Sequence, residues 1–422
     1  MKTFKKYISY LAIMFVLILA ACGGEQTSSN DSSNGKDGDK VEFAQGVTDD
    51  EILIGLSAPQ TGPLAVYDTF RKGMEAYFQY VNDNGGVHGR NLKLIAYDDQ
   101  YQPAQAMQTA KRLIEDDKVF LVAGNMGSAA LQATKDMYIK SGMPVVMPGS
   151  GITEFVDPPV KNWFGSSMLN YEVEAKILLH YAIEELGAKR IGIAYQNDDF
   201  GKTPLNAIKE AIENYPDAEI VAEVSYLPSD TDFSSQAQKL QDANPDTVFN
   251  LGVMSPAVNL KKAIYKIGME DVNYFVTSVA GGDTNAFELA GKEIWEGTYS
   301  DGTMHPIDDL SNEKVKLFHD EFSKRNPNEP ITGFTMSGWA VAQVVVEGLE
   351  RTEGELTWEK YYEALETLDN WEGSIYNGIT FSKDNHYGLN KVYITQARDG
   401  KIEPISDFIS FDPTTGEITY SE

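Results

Sequence analysis

Residues 51–65 read EILIGLSAPQTGPLA, and the two halves of the stretch follow different rules. A short β-branched run at 52–56 reads as a strand. The loop APQTGPLA (58–65), rich in proline, glycine and small polar residues, ends it, and an amphipathic pattern follows at 70–82.

Working outward, the same unit recurs. Strands are expected at 92–97, 119–123 and 145–147, separated by helical patterns at 104–116 and 129–140, and several helices end at glycine. Strand, helix, strand in succession implies parallel pairing with right-handed crossovers. The pattern then restarts. A helix at 172–186 leads into RIGIAYQ (190–196), a helix at 205–214, EIVAEVSYL (219–227), a helix at 233–243, DTVFNLGV (246–253), a helix at 257–267 and YFVTSV (274–279). Two doubly wound units in one chain point to two lobes, each large enough for its own core. Two long helices follow at 312–327 and 333–354, then a third at 358–368, and a hairpin at 390–405 turns at Asp399-Gly400. The returning helices imply that the chain crosses back to the first lobe.

The N-terminus fixes the compartment. Lys2, Lys5 and Lys6 precede an apolar stretch at 11–20, too short and too asymmetric for a spanning helix. The run LAACGG (19–24) holds Cys22, the only cysteine in 422 residues, directly after small residues that resemble a bacterial lipobox. Residues 1–21 read as a signal peptide, Cys22 as the lipid-attachment site, and 22–47 as a flexible tether poor in apolar side chains. Two acyl chains on one cysteine are enough for stable attachment. The expected location is the extracellular face of the cell membrane.

The chain carries 35 basic and 63 acidic residues, net −28, which argues against nucleic acid as a partner. Catalytic motifs are missing. His88, His180, His305, His319 and His386 are scattered with no HExxH pair, and there is no G-x-S-x-G elbow, Walker loop or G-x-G-x-x-G. No metal and no cofactor is expected, and the pattern does not argue for an enzyme.

In open α/β sheets ligands bind beyond the carboxyl ends of the strands. Three loops of the first unit qualify: 58–65, GNMGSAALQ (124–132) and MPGSGITE (147–154). In the second, Gly127 and Ser128 precede a helical run, so that amides and a hydroxyl can meet an anion; Ser128 as a plain helix cap is the alternative. In the third, Gly149, Ser150 and Gly151 permit close backbone approach, and a tight turn without a ligand is the alternative.

The opening stretch, with GMEAYFQYVNDNGGVHGRNLKLIAYDDQYQPAQA (73–106) and DTDFSSQAQKLQDANPDTVFNLG (230–252), resembles the leucine/isoleucine/valine-binding class of ABC-transporter solute-binding proteins. The likeness runs from Glu51 to about Ile402. It implies an α/β fold of two Rossmann-like doubly wound lobes joined by a three-crossover hinge, the periplasmic binding protein type I architecture. The N-terminal lobe is then 48–166 plus 300–388, and the C-terminal lobe 167–299 plus 389–422. A monomer that delivers a small carboxylate or amino-acid ligand to an ABC permease is implied.

Carried over by position, the family's carboxylate-binding serine falls at Ser128 and its backbone contact at Gly149. Its threonine falls at Gly151, with Ser150 as the substitute. The two tyrosines and the glutamate that hold an ammonium in amino-acid binders fall at Phe200, Val253 and Val279. Either the ligand has no recognised α-amino group, or another acid such as Asp198 or Asp283 takes over, since an ammonium buried without its carboxylate costs several kcal/mol. Tyr67, Trp163, Tyr171, Phe200 and Met254 suit an apolar or aromatic acid. The alternatives are an α-amino acid binder with a relocated ammonium site, and a ligand-sensing receptor lipoprotein.

Overall fold

The computed structural model describes residues 43–412 and 415–420. The signal peptide, Cys22 and most of the expected tether lie outside the described residues. The tether's last five residues are packed structure: Ala44 N–H donates to Leu356 O at 3.0 Å, and a Cβ on Gly46 would lie 2.1 Å from Phe120 N.

The first sheet has five parallel strands, β1 (Glu51–Ala58), β2 (Asn91–Asp98), β3 (Leu121–Ala123), β4 (Val145–Val146) and β5 (Trp163–Phe164), in the order β2-β1-β3-β4-β5. Helices α1 (Asp68–Asp83), α2 (Pro103–Lys111) and α3 (Ser128–Ser141) connect the first four. Strand β5 carries no loop-to-helix signal of its own, and the sequence reading missed it. After it, α4 (Tyr171–Glu184) carries the chain to the second sheet.

That sheet is built from β6 (Arg190–Gln196), β7 (Glu219–Tyr226), β8 (Thr247–Leu251), β9 (Asn273–Val276) and β10 (Tyr299–Gly302), which pair in the order β10-β9-β8-β6-β7. The connections are α5 (Asp199–Ala211), α6 (Ser234–Ala243), α7 (Met254–Lys266), and the short α8 (Ser278–Gly281), α9 (Asn285–Ala290) and α10 (Lys292–Trp295). Because β10 belongs to this sheet, the chain leaves it after Gly302; the expected boundary at 299/300 falls inside the strand.

Helices α11 (Glu313–Arg325), α12 (Gly333–Glu350) and α13 (Trp358–Leu365) then return to the first sheet, as the helical run implied. Helix α12 lies against α1 with almost every side chain buried. The closeness has a local cause: a Cβ on Gly73 would lie 1.9 Å from Thr335 O, and one on Gly338 would lie 1.9 Å from Phe70 O. The pair β11 (Thr380–Ser382) and β12 (Asn385–Gly388) precedes a third crossing, into β13 (Lys391–Arg398), which lies antiparallel on β10. Strand β14 (Lys401–Pro404) folds back on β13 through Asp399 and Gly400, both at positive φ as a two-residue hairpin turn requires. Strands β15 (Ile409–Phe411) and β16 (Ile418–Thr419) close the edge.

Two sheets joined by three crossings make the expected α/β architecture. In each sheet the strand order reverses once, between β1 and β3 in the first and between β6 and β8 in the second. Reversal leaves a crevice at the carboxyl ends of the flanking strands. The segments that follow β1, β3, β6 and β8 carry Tyr67, Ser128, Phe200 and Val253 respectively into it.

Candidate functional site

The first-lobe half of the site is the N-terminus of α3. Gly127 occupies the cap position with φ 97° and ψ 120°, where a Cβ would lie 2.8 Å from the ring of Tyr101. Ser128 is therefore the first helical residue and not the cap. Its hydroxyl makes no capping bond and lies 2.8 Å from Ser150 Oγ, with both serines buried. The backbone holds the pair in place: Gly127 N–H donates to Gly149 O at 3.2 Å, and Gly149 N–H donates to Asn125 O at 2.7 Å. Two hydroxyls beside the unpaired amides of a helix start form a seat for a carboxylate.

Three phenols surround that seat. Burial pushes the Tyr67, Tyr101 and Tyr171 hydroxyls well above the usual tyrosine range, so each stays protonated and able to donate. Tyr171 stands beside Ser128 and Ser150. Tyr67 accepts the backbone N–H of Met254 at 3.1 Å, which leaves its own proton free to donate.

The opposite wall comes from the second sheet. Phe200 lies in the first turn of α5 with its ring 4.8 Å from that of Tyr171, Val253 is the cap residue of α7, and Val279 lies in α8. Between the walls is a cleft whose free space, open solvent included, is about 500 Å³. Eight predicted residues line it: Tyr67, Gly127, Ser128, Gly149, Tyr171, Phe200, Val253 and Val279.

Three do not. Ser150 sits behind Ser128, hydroxyl to hydroxyl. Gly151 is turned to its own chain, since a Cβ there would meet Leu169 O at 1.9 Å, and its carbonyl accepts from Tyr171 N–H. Met254 buries its side chain and contributes only its backbone N–H. Trp163, one of the aromatic candidates, stacks on Phe155 in the core at 5.0 Å.

The sequence reading also missed several lining residues, among them Tyr101, Met168 and Phe334. Tyr101 had a findable signal, because it follows β2 at a carboxyl strand end. Phe334 had none; it arrives on α12 from the far end of the chain.

None of the lining side chains carries a formal charge. The two acids considered as substitutes for the missing glutamate are occupied elsewhere. Asp198 caps α5 through Gly201 N–H and accepts from Gln196, and Asp283 accepts the N–H groups of Asn285 and Phe334. A carboxylate fits this cavity, whereas an α-ammonium would find no counter-charge in it.

Comparison with known proteins agrees with this architecture. The profile of the periplasmic binding protein family matches residues 51–401. A Leu/Ile/Val-binding protein homologue of Brucella melitensis is 26% identical over 306 residues, covering 71% of this chain and 79% of the relative. A fatty acid ABC transporter substrate-binding protein from Thermomonospora curvata superposes with TM-score 0.79 at 21% identity, covering 90% of this chain and 97% of that one. A branched-chain amino acid ABC transporter protein from Thermus thermophilus with bound valine gives 0.77 at 19% identity, covering 86% and 97%.

Proposed function

The chain belongs to the periplasmic binding protein family, whose members bind solutes and are not enzymes, and from that premise we propose that it serves an ABC importer of the branched-chain amino acid type. The ligand is a small apolar carboxylate without a recognised α-amino group. Ser128, supported by Ser150 and the backbone at Gly149, holds the carboxylate. Phe200, Val253 and Val279 pack on the apolar part. Cys22 carries the lipid that keeps the protein at the outer face of the membrane, and the partner is a membrane permease.

One observation carries the reading: a hydroxyl pair at a helix N-terminus, Ser128 and Ser150 at 2.8 Å, faces a wall without a carboxylate. The names of relatives support the transport class, and they span both amino-acid and fatty-acid carboxylates.

A thermal-shift panel tests the ligand class. A ligand at a hundredfold its dissociation constant adds about 2.7 kcal/mol of stability. The expected result is a clear shift with 4-methylpentanoate and a small one with leucine. A shift with leucine and none with its deaminated analogue overturns the reading. For the anchor, Cys22→Ser should move the protein from the membrane fraction to the medium.

A further inference from the structure

A second chamber, with about 780 Å³ of free space when open solvent is included, adjoins the cleft, and Met168, Val279 and Phe334 line both. Its character differs from that of its neighbour. Asp301, on β10, lines it while almost fully buried; its neighbours are the Glu174 carboxyl and the N–H groups of Asp301 and Ser278, and no donor among the described residues meets either carboxyl oxygen at full hydrogen-bond geometry. Thr395 Oγ1, on the adjacent β13, lines the same chamber and is equally unpartnered. Next to Asp301 stands Glu174 of α4. Its Oε1 accepts from Ser278 N–H at 2.7 Å and Ser278 Oγ at 2.6 Å, and its Oε2 has no partner.

Buried carboxyl oxygens without donors are costly, and a group that meets them in the chamber would remove that cost. The protein supplies no cation. No lysine or arginine lines the chamber, and the cationic form of its one histidine, His305, is disfavoured by burial and then by Lys314. Burial pushes both carboxyls up, the Glu174 charge pushes Asp301 up further, and a side-chain hydrogen bond joins the two, so in the absence of a cation the pair shares a proton. A metal ion is a poor fit, since no group of three potential ligands occurs among the described residues.

We propose that this chamber binds a protonated alkylamine, with Asp301 as the counter-charge, Glu174 beside it and Thr395 Oγ1 as a further acceptor. The amine is either a free molecule or the far end of the cleft's own ligand; the second case rests on the carboxylate reading given above. In that case the ligand is a carboxylate whose ammonium lies away from the α-carbon.

Isothermal titration of the full chain with hexanoate, n-hexylamine and 6-aminohexanoate tests this. Hexylamine should bind the hexanoate-loaded protein, or 6-aminohexanoate should bind at least tenfold tighter than hexanoate. The first outcome assigns the chamber to a free amine, and the second to the far end of the ligand. In both, Asp301→Asn should weaken the amine-bearing probe at least tenfold and leave hexanoate unchanged, whereas Ser128→Ala should weaken hexanoate. Glu174→Gln should weaken the amine as well. Should Asp301→Asn fail to fold, Thr395→Val reads the same chamber and should weaken the amine about threefold. Absence of amine binding to the wild type, or equal amine affinity in wild type and Asp301→Asn, overturns the proposal. Loss of hexanoate binding alone would instead overturn the carboxylate reading of the cleft.

Discussion

The hydroxyl of Tyr67 accepts the backbone N–H of Met254 at 3.1 Å and so ties the loop after β1 to the first turn of α7, across the cavity. The N–H is one of those that α7 itself cannot satisfy. Because the bond joins two sheets, it counts toward closure over a ligand and little toward the fold of either lobe. Tyr67→Phe should therefore weaken ligand binding by about 1 kcal/mol, roughly fivefold, through a faster off-rate. Calorimetry and stopped-flow release measure it, and the apo melting temperature should hold.

Ser128→Ala separates a binding role from a capping one. Gly127 occupies the cap, and the serine hydroxyl reaches Ser150 instead of a backbone amide. Helix α3 should keep its stability to within about 0.5 kcal/mol, since no cap is lost. Affinity for a carboxylate should fall by about 1.5–3 kcal/mol, the usual worth of a hydrogen bond to a charged group. A melting-temperature series alongside titration reads both numbers.

Val279→Glu places an acid at the position to which the resemblance assigns the glutamate of amino-acid binders. The cavity has no formal charge among its described lining residues, so the new carboxylate would repel the carboxylate ligand and welcome an α-ammonium. Leucine affinity should rise relative to that of 4-methylpentanoate by at least tenfold. An unchanged ratio would show that residue 279 does not face the α-carbon.

How far the site was legible depended on proline. Helices were expected to start at 205 and 257, just after Pro204 and Pro256, because proline interrupts a helical pattern. In the structure both prolines lie inside helices, at the sixth position of α5 and the third of α7. At the third position of α7 the missing N–H is one the helix could not satisfy, whereas at the sixth position of α5 Pro204 forgoes the bond to the Phe200 carbonyl. The shift moves Phe200 and Met254 from loops to first turns and makes Val253 a cap residue. The periodicity of strands and helices predicted the two doubly wound units correctly, since it depends on local side-chain alternation. Phe334 and Thr395 were out of reach, because only the second and third crossings bring α12 and β13 to the two cavities.

Asp99 supplies a pH test outside the cleft. It is fully buried, accepts from Ser57 Oγ at 2.7 Å and from Tyr101 N–H at 2.9 Å, and burial pushes its carboxyl up to about 6. Unfolded, it titrates near 3.8. Between those values the folded state binds more protons, so this group lowers stability as pH rises from about 4 to 6. Ser57 Oγ also lies 2.7 Å from Thr109 Oγ1, so it can accept from a neutral Asp99 while donating to Thr109. Asn mimics that neutral form. Asp99→Asn should match the wild type near pH 4 and exceed it by about 2–3 kcal/mol above pH 6, as denaturant titrations at each pH would show.

The crossing of α1 and α12 gives the last test. Gly73 faces Thr335 O and Gly338 faces Phe70 O, each with a Cβ position only 1.9 Å from a carbonyl oxygen. Both obstacles are backbone, which cannot rotate away as a side chain would, so either alanine must push the helices apart. Gly338→Ala should cost more than about 2 kcal/mol and lower the melting temperature by several degrees, although alanine favours an isolated helix by about 1 kcal/mol. The two glycines belong to one interlocked crossing, because residues 70–74 of α1 meet residues 335–339 of α12. Once one alanine has separated the helices, the second finds room. The double variant Gly73→Ala/Gly338→Ala should therefore lose clearly less than the sum of the single losses, a coupling that a double-mutant cycle measures directly. Strict additivity would mean that the two contacts yield independently, and that the helix pair is not the rigid unit that holds Phe334 against Tyr67 at 4.6 Å.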